Sequence, residues 1–273
     1  WPRNLEKDEH PGMDLPEPLT KDAMCELMER LNEQARKETK KKKARNGIKD
    51  ILHAKYALQI ATGYMDVVRK LPSVVHVNTQ QSGKITVVGD LHGQLRDLIH
   101  IFRHNGMPSF DNPYLFNGDL VDRGDYSVEI VLLLFGFAVA DPGSIYINRG
   151  NHEDAALSRA YDFEAELVSK YGVDTSLLDD ADDAFCAMPL GCVVNHGASR
   201  TMVLHGHLPR SLPSLDELKR APRVRSVVAE SEEDVEVVRD VLWSDPWDQS
   251  DVVDNFKRNA GCLIPDGALG EWL

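Results

Sequence analysis

Three short blocks of the chain combine glycine with residues that bind metals or transfer protons. They read GDLHG at residues 89–93, GDLVDRG at 118–124 and NRGNHED at 148–154. An apolar run precedes each block, as expected for a β-strand that delivers polar side chains at its carboxyl end. The blocks therefore predict one site assembled from the ends of three strands.

The residue types in these blocks indicate divalent metals. Asp90 and His92 are two residues apart, so at an extended strand end both side chains point to the same side and can bind one ion. Carboxylate, amide and imidazole ligands together suit manganese, iron or zinc better than calcium, which takes oxygen ligands only. Three such blocks imply a two-metal hydrolytic site, in which the ions hold a hydroxide and neutralise phosphoryl oxygens.

Glycine recurs in all three blocks, where it permits positive φ and lets the backbone approach an ion or a phosphate. These glycines are residues 89, 93, 118, 124 and 150. A single block would be weak evidence, because Gly-Asp also forms ordinary turns and a lone histidine is commonly structural. Three blocks in order, each after a predicted strand, favour a role in metal binding or catalysis over ordinary turn formation.

The three blocks resemble the signature motifs of the serine/threonine phosphoprotein phosphatases, a family of metallophosphoesterases. Further stretches agree in the family's order: MPLG at 188–191, VLHG at 203–206, SLDELKR at 214–220 and LWSDP at 242–246. The resemblance covers about residues 52–273. It is strongest to the EF-hand-containing retinal-degeneration-C type, with the tetratricopeptide-containing type close behind. It implies an α/β (α+β) calcineurin-like metallophosphoesterase fold, with two packed mixed β-sheets flanked by helices.

The resemblance implies a ligand set for two divalent metal ions. Asp90 and His92 match ligands of the first metal. Asp119 matches the carboxylate that bridges both ions. Asn151 and His205 match ligands of the second metal.

The resemblance also implies four residues that act on the substrate. His152 matches the general acid that protonates the leaving seryl or threonyl oxygen, with Asp122 orienting its ring. Arg123 and Arg258 match the residues that clamp the phosphate. A guanidinium offers bidentate donors to phosphoryl oxygens, which explains arginine rather than lysine at such positions.

Three features depart from the family pattern. Gly206 is followed by His207 rather than by a second glycine, and we interpret that imidazole as an exposed loop histidine, with a spare or inhibitory metal ligand as the alternative. The family's second metal takes a further histidine downstream of the Arg258 segment, whereas no histidine follows His207 here. The family's phosphate-site tyrosine is missing too. We therefore expect the sequence to be truncated at its C-terminus, and its start at Trp1 suggests a cut there as well.

These patterns predict a protein serine/threonine phosphatase that hydrolyses phosphoserine and phosphothreonine by attack of a dimetal-bound hydroxide. One alternative is a nucleotide or small-molecule phosphoesterase that uses the same blocks, against which the family-like stretches 214–220 and 242–246 weigh. The other is a catalytically impaired phosphatase-fold binding module, which the missing ligand favours.

Composition limits the kinds of partner that the protein can bind and the cellular compartment in which it is expected. A net charge of −13 argues against a nucleic-acid binder, so phosphoproteins are the expected partners. The four cysteines form no C-x-x-C pair, which predicts free thiols in a reducing compartment, cytoplasmic or nuclear. The longest apolar run, residues 130–140, is shorter than a membrane span and is typical of a buried helix.

Hydrophobic periodicity predicts the elements that position the blocks. A helix is expected over 51–71, the first core strand over 85–88, and paired strands over 192–195 and 202–204. The segment after Gly93 should form a helix with one apolar face. That face consists of Leu95, Leu98, Ile99 and Phe102.

We expect residues 1–46 to form an N-terminal arm and a basic helical segment, and residues 47–273 the catalytic domain with its C-terminal part missing. A helix should begin near Thr20 and dock on the domain through an apolar stripe of Met24, Leu27, Met28 and Leu31. The basic run 36–45 is interpreted as a solvated helix end or linker, with a regulatory or calmodulin-like partner as the alternative. The acidic tract 174–183 lacks the spacing of an EF-hand loop.

Overall fold

The computed structural model describes residues 12–41, 47–172, 175–228 and 233–268. Within these ranges the helices are α1 (Lys21–Lys41), α2 (Ala54–Val68), α3 (Leu95–Asn105), α4 (Ser127–Ala140), α5 (Ala155–Ala160), α6 (Phe163–Tyr171), α7 (Thr175–Ala187), α8 (Leu215–Lys219) and α9 (Glu233–Trp243), with a 3-10 helix at Gly47–Asp50. The strands are β1 (Val74–Asn78), β2 (Thr86–Val88), β3 (Tyr114–Phe116), β4 (Ile145–Ile147), β5 (Gly191–His196), β6 (Ser199–Leu204), β7 (Asp245–Trp247), β8 (Val253–Asp254) and β9 (Cys262–Pro265).

The sheet that carries the three sequence blocks has the strand order β2-β3-β4, and all its strands are parallel. Helices α3 and α4 form the crossovers between these strands, which is the connection that parallel neighbours require. The carboxyl ends of β2, β3 and β4 therefore meet at one edge, and each block begins within two residues of a strand end. The sequence prediction that the three strand ends come together is confirmed in this arrangement.

A second sheet has the order β1-β5-β6, with β1 parallel and β6 antiparallel to β5. It packs face to face on the first through a cluster that includes Val77, Leu115 and Val194, as predicted. The antiparallel pair around residues 195–197 was also predicted. Strand β1 was not predicted, because the first core strand was expected at residues 85–88.

A third small sheet in the described part of the chain, β7-β9-β8, contains strands of only two to four residues. Strands this short show no alternating pattern over a useful length. The structure thus distributes the strands over three sheets, of which β2-β3-β4 is purely parallel rather than mixed.

The main hydrophobic core lies between the parallel sheet and helices α1, α2, α3, α4, α6 and α7. The predicted face of α3, formed by Leu95, Leu98, Ile99 and Phe102, is fully buried. Helix α4 is buried from Ser127 to Ala138, as its apolar run predicts. A second core packs α8 and α9 on the outer face of β1-β5-β6.

The N-terminal region joins the same core. Thr20 Oγ1 accepts a hydrogen bond of 3.3 Å from the backbone N–H of Ala23, and the stripe of Met24, Leu27, Met28 and Leu31 is buried, so the predicted capped and docked helix is confirmed. The boundary at residue 46 stays a prediction. Residues 1–11, part of the predicted arm, and residues 42–46, part of the basic run, lie outside the described residues. No helix of the described chain is both long and apolar enough to cross a membrane.

A buried ionic cluster supports the N-terminus of α4, directly after the second sequence block. Lys170 Nζ lies 2.6 Å from Glu129 Oε2 and 2.7 Å from Glu166 Oε1. Glu166 also accepts hydrogen bonds from the backbone N–H groups of Ser127 and Val128. One ammonium thus faces two carboxylates. Burial raises the pKa of Glu129 to about 7, against the lowering effect of Lys170 and with the help of the Glu166 charge.

This raised pKa makes stability depend on pH. Since the folded-state pKa of Glu129 lies above its ordinary value of 4.5, the folded state binds more protons between these values, and the free energy of unfolding falls as pH rises through the window. We expect the free energy of unfolding of Glu129→Gln to lack this fall. Between pH 5 and pH 8 it should come to exceed that of the parent protein by up to about 3 kcal/mol. Urea unfolding across that range measures it, with exposed Glu33→Gln as the control. Parallel pH profiles for Glu129→Gln and the parent would contradict the expectation.

Candidate active site

The three loops that follow β2, β3 and β4 touch one another through their backbones. Gly118 has φ of 85°, and a Cβ there would overlap the backbone nitrogen of Gly150. Gly93 has φ of 68°, and a Cβ there would lie 2.7 Å from the carbonyl carbon of Gly124. Only glycine combines that backbone conformation with such close approach. The glycines therefore allow the three loops to close on one another.

Four residues that are not glycine also have positive φ in these loops. They are His92 at 39°, Asp119 at 51°, Asp122 at 68° and Arg123 at 65°. Such conformations cost about 1–3 kcal/mol each and persist only where the surroundings enforce them. All four carry predicted functional side chains, so the backbone strain is concentrated at the candidate site.

Two imidazoles are held in a defined tautomer by backbone carbonyls. His92 Nδ1 donates to Val121 O at 2.7 Å, and His205 Nδ1 donates to Asn117 O at 2.7 Å. Because a carbonyl only accepts, each ring presents the lone pair of Nε2 to the site when neutral. His92 Nε2 lies 3.3 Å from Asp119 Oδ2 and His205 Nε2 lies 3.4 Å from Asp119 Oδ1. This is the arrangement in which histidine binds a metal.

The donor set fits cations on either side of Asp119. His92 Nε2 is buried and makes no hydrogen bond among the described residues, although burying a polar atom without a partner is costly. Two groups of potential ligands lie within metal-binding distance, His92 with Asp119 and His152, and Asp90 with Asp119 and His205. Asp119 belongs to both groups. A carboxylate shared in this way can bridge two ions.

Asn151 completes the surroundings of Asp119. With its NH2 turned inward, the amide donates to both Asp119 oxygens at 3.2 Å and to His205 Nε2 at 2.8 Å. With its oxygen inward, it adds a further acceptor beside His205 Nε2, which favours a cation between them. Burial would raise the pKa of Asp119, but the imidazole of His92 at 3.3 Å and the neighbouring His205 and His152 lower it to about 2. Asp119 is therefore an anion at neutral pH.

Asp90 reaches the site by a route that differs from the predicted one. Strand β2 ends at Val88, and His92 has a positive φ, so Asp90 and His92 do not project from an extended strand end. The turn between them still brings Asp90 Oδ2 to 3.9 Å from His92 Nε2. The Asp90 side chain is 55% exposed, which places it at the mouth of the site.

His152 and Asp122 form a buried pair beside the metal-type ligands. His152 Nδ1 lies 2.6 Å from Asp122 Oδ2, and Asp122 Oδ1 accepts from the backbone N–H groups of Asp162 and Phe163. The carboxylate is thereby fixed and holds the ring proton on Nδ1. His152 Nε2 then faces Arg123 Nη2 at 3.4 Å.

Arg258, the second arginine predicted to bind phosphate, is held by a carboxylate. Its guanidinium binds both carboxylate oxygens of Asp245, at 2.6 and 2.9 Å. This hydrogen bonding raises the pKa of Arg258, with smaller contributions from Asp119 and Asp90. The guanidinium is thus close enough to interact with the negative charges of Asp119 and Asp90. In the structure, however, it forms its ion pair with Asp245.

His207 is less exposed than the sequence interpretation assumed. The residue is half-buried, its Nδ1 is buried without a hydrogen bond among the described residues, and burial lowers the pKa of its imidazole. The interpretation as an exposed loop histidine is therefore wrong. The loop before it is tightly packed, since a Cβ at Gly206 would lie 2.7 Å from Val241 O.

Glu153 organises two of the loops, although the sequence analysis gave it no role. The side chain is fully buried and accepts hydrogen bonds from three backbone N–H groups, those of Asp119 at 2.8 Å, Leu120 at 2.8 Å and Gly150 at 2.9 Å. Burial and the Asp119 charge raise its pKa. A glutamate inside a glycine-rich loop, where backbone N–H groups converge, is the signal that could have identified it.

Glu153→Gln tests this role. A glutamine keeps one oxygen but turns an NH2 toward a backbone donor, which leaves a buried N–H group without an acceptor. We expect a loss of about 1–3 kcal/mol in the free energy of unfolding and a lower metal affinity, because Asp119 is displaced. Denaturant unfolding and metal titration measure the two effects, with Glu164→Gln on α6 as the matched control. Unchanged stability and unchanged metal affinity would show that the three hydrogen bonds do not position Asp119.

Imidazole and amide groups around a shared aspartate, at the carboxyl edge of a parallel sheet packed on a second sheet, are typical of a metallophosphoesterase. The chain belongs to the calcineurin-like phosphoesterase family, whose sequence pattern matches residues 83–273. The predicted fold is thereby confirmed.

The chain is similar to several serine/threonine phosphatases. It shares 42% identity over 196 residues with serine/threonine-protein phosphatase 5 of Arabidopsis thaliana, covering 71% of this chain and 35% of that protein. With serine/threonine-protein phosphatase rdgC of Drosophila melanogaster it shares 37% over 220 residues, covering 77% and 33%. A solved structure, a protein serine/threonine phosphatase from Saccharomyces cerevisiae with similarity to human phosphatase PP5, matches with a TM-score of 0.70 at 29% identity, covering 79% of this chain and 65% of that chain.

These matches confirm the resemblance to serine/threonine phosphoprotein phosphatases that the motifs predict, and they include both the phosphatase 5 and the rdgC proteins. The chain spans about a third of the length of the curated relatives it matches.

Proposed function

We propose that this chain is the catalytic part of a protein serine/threonine phosphatase that uses two divalent metal ions. The observation that carries the proposal is the position of Asp119, which lies between His92 and His205 at 3.3 and 3.4 Å while His152 and Asp122 pair beside it. The names of the similar phosphatases support phosphoproteins as the substrate class.

The metals would be held by the predicted ligands Asp90, His92, Asp119, Asn151 and His205. Mixed oxygen and imidazole donors favour manganese, iron or zinc. When bound, two such ions supply an activated water and neutralise charge on the phosphoryl oxygens. The carbonyls of Val121 and Asn117 keep the Nε2 lone pairs of His92 and His205 directed at the site, so the ligands are oriented before a metal arrives.

The other predicted residues act on the substrate, and Asp122 does so through His152. His152 holds a proton on Nε2 in its charged form and would transfer it to the leaving seryl or threonyl oxygen. Asp122 stabilises that charged form and fixes the ring, because it is buried and its own hydrogen bonds are satisfied. Arg123 would bind the phosphoryl oxygens from its position next to His152. Arg258 would join it on exchanging Asp245 for the phosphate.

The four thiols support a reducing compartment, the cytoplasm or the nucleus. All four are free in the structure, and burial raises the pKa of Cys192 to about 12 and that of Cys262 to about 11. Thiols with such a raised pKa stay protonated and inert at neutral pH.

Turnover after metal loading tests the proposed function. The purified chain, dialysed against a chelator and then supplied with manganese, iron or zinc, should hydrolyse a phosphoserine peptide and p-nitrophenyl phosphate, and it should lose both activities on renewed chelation. Hydrolysis of nucleotides or small phosphoesters without turnover of the phosphopeptide would contradict the substrate class. Metal binding without hydrolysis of any of these would identify an impaired binding module instead.

A further inference from the structure

A cationic groove of about 490 Å³ lies between α1 and α3, outside the candidate active site. It is lined by Asn32, Arg36, Arg96, Ile99, His100 and Arg103, and these six residues define the cationic groove. Its lining contains three arginines and a histidine but no carboxylate. Such a surface is unexpected on a chain with a net charge of −13.

The basic side chains of α3 form one stripe. Arg96, His100 and Arg103 are spaced i, i+4 and i+7, so they lie on one face of the helix, and all three are exposed. The opposite face is buried in the core. At 1.5 Å per residue, the stripe is about 10 Å long.

The stripe starts close to the metal-type ligands. Helix α3 begins at Leu95, directly after the loop that contains His92. Arg96 lies four positions after His92, so their Cα atoms are at most about 14 Å apart. The cationic groove therefore leads away from the edge of the candidate active site.

Asn32 adds a polar side chain to the lining of the groove. It is only 4% exposed and lies on α1, opposite the stripe on α3. An amide that both donates and accepts can bind a carboxylate or the backbone of an extended peptide.

One ion pair across the two helices shapes the groove. Glu29 binds Arg103 through both carboxylate oxygens, at 2.9 and 2.7 Å. This pair links α1 to α3 and holds the groove in shape. Arg36 and Arg96 contribute two further positive charges to the lining, so the charge of the groove suits an anionic ligand.

We infer that the cationic groove binds an acidic segment of the phosphoprotein substrate, next to the phosphorylated residue. This inference rests on the proposed function. An extended peptide advances about 3.3 Å per residue, so a chain that leaves the active site reaches Arg96 after about four residues and Arg103 after about seven. Glutamate or aspartate at these distances would meet Arg96, and would bind Arg103 in exchange for Glu29. The groove would thus select acidic substrates that the rest of this acidic surface repels.

The test compares two phosphoserine peptides, one with glutamates four to seven residues from the phosphoserine and one with glutamines there. The readout is the ratio of kcat/KM for the two peptides, which cancels any general effect on turnover. We expect the metal-loaded parent to favour the acidic peptide about tenfold through KM, a factor that corresponds to about 1.4 kcal/mol. Arg36→Gln combined with Arg96→Gln should bring the ratio near one. The matched control, Lys70→Gln with Lys84→Gln, removes the same charge from exposed positions elsewhere and should keep the preference.

Several outcomes separate this inference from the proposed function. No preference in the parent, or the same preference in the Arg36 and Arg96 variant, overturns the inference while phosphatase activity stands. If the metal-loaded chain hydrolyses neither peptide, the proposed function fails instead. Fluorescence anisotropy with the unphosphorylated acidic peptide then still tests the groove, because binding should weaken in the arginine variant, and further on adding salt, but not in the lysine control. Equal binding to both variants would refute it.

Discussion

Asp119→Asn should abolish turnover and weaken both metals together. The substitution keeps the size of the side chain and the oxygen that accepts from His152 N at 3.1 Å, but it removes the negative charge that faces both His92 and His205. Because a bridging carboxylate contributes to two sites, a single change affects both ions. We expect kcat to fall at least about 10³-fold, which corresponds to about 4 kcal/mol in the barrier.

Metal content and activity, measured on the same preparation, check this expectation. Asp66→Asn is the matched control, since Asp66 is an exposed carboxylate on α2 and its loss should change neither quantity. A chain with Asp119→Asn that retains two tightly bound ions and normal turnover would exclude the bridging role. Loss of a single ion would assign Asp119 to one metal only.

His152→Asn should slow phosphoserine hydrolysis by roughly 10²–10⁴-fold, the usual contribution of a general acid. An alkoxide is a poor leaving group and needs the proton that His152 Nε2 supplies. p-Nitrophenolate leaves without one, so its hydrolysis should fall much less. Metal content should stay near that of the parent, because in our assignment His152 is not a ligand.

Two comparisons sharpen this result. Asp122→Asn removes the charge that lies 2.6 Å from His152 Nδ1, so it should lower the same substrate-dependent rate while His152 is still present. His104→Asn, on the exposed end of α3, is the matched control. Equal losses on phosphopeptide and p-nitrophenyl phosphate in His152→Asn would count against proton donation, and loss of a metal would show that His152 is a ligand, as its distance from Asp119 and His92 permits.

The sequence predicted the placement of the three blocks well, because short-range interactions decide the structure there. Apolar runs ending in glycine and aspartate predicted that three strands end at one edge of a sheet. The periodicity of Leu95, Leu98, Ile99 and Phe102 predicted the buried face of α3. Asp90 and His92 do come together, but through a turn with positive φ. The prediction assumed an extended strand there, because the spacing of two residues carries no information on φ.

Features that depend on distant parts of the chain were not predictable. Glu153 accepts from backbone groups more than 30 residues away, and Arg258 is held by Asp245. Neither contact produces a periodic pattern in the sequence. Strand β1 pairs with β5, more than 100 residues later, and its run VVHVN is too short to be distinguished from a loop next to a helix.

Electron paramagnetic resonance of the manganese-loaded chain tests the central claim most directly, namely that two metals share Asp119. Two Mn²⁺ ions bridged by a carboxylate are magnetically coupled. We therefore predict that the chain binds two ions, that the six-line signal of isolated Mn²⁺ is replaced by the broad spectrum of a coupled pair, and that Asp119→Asn abolishes the coupling. A single bound ion, or two ions that give only uncoupled six-line spectra in the parent chain, would contradict the account.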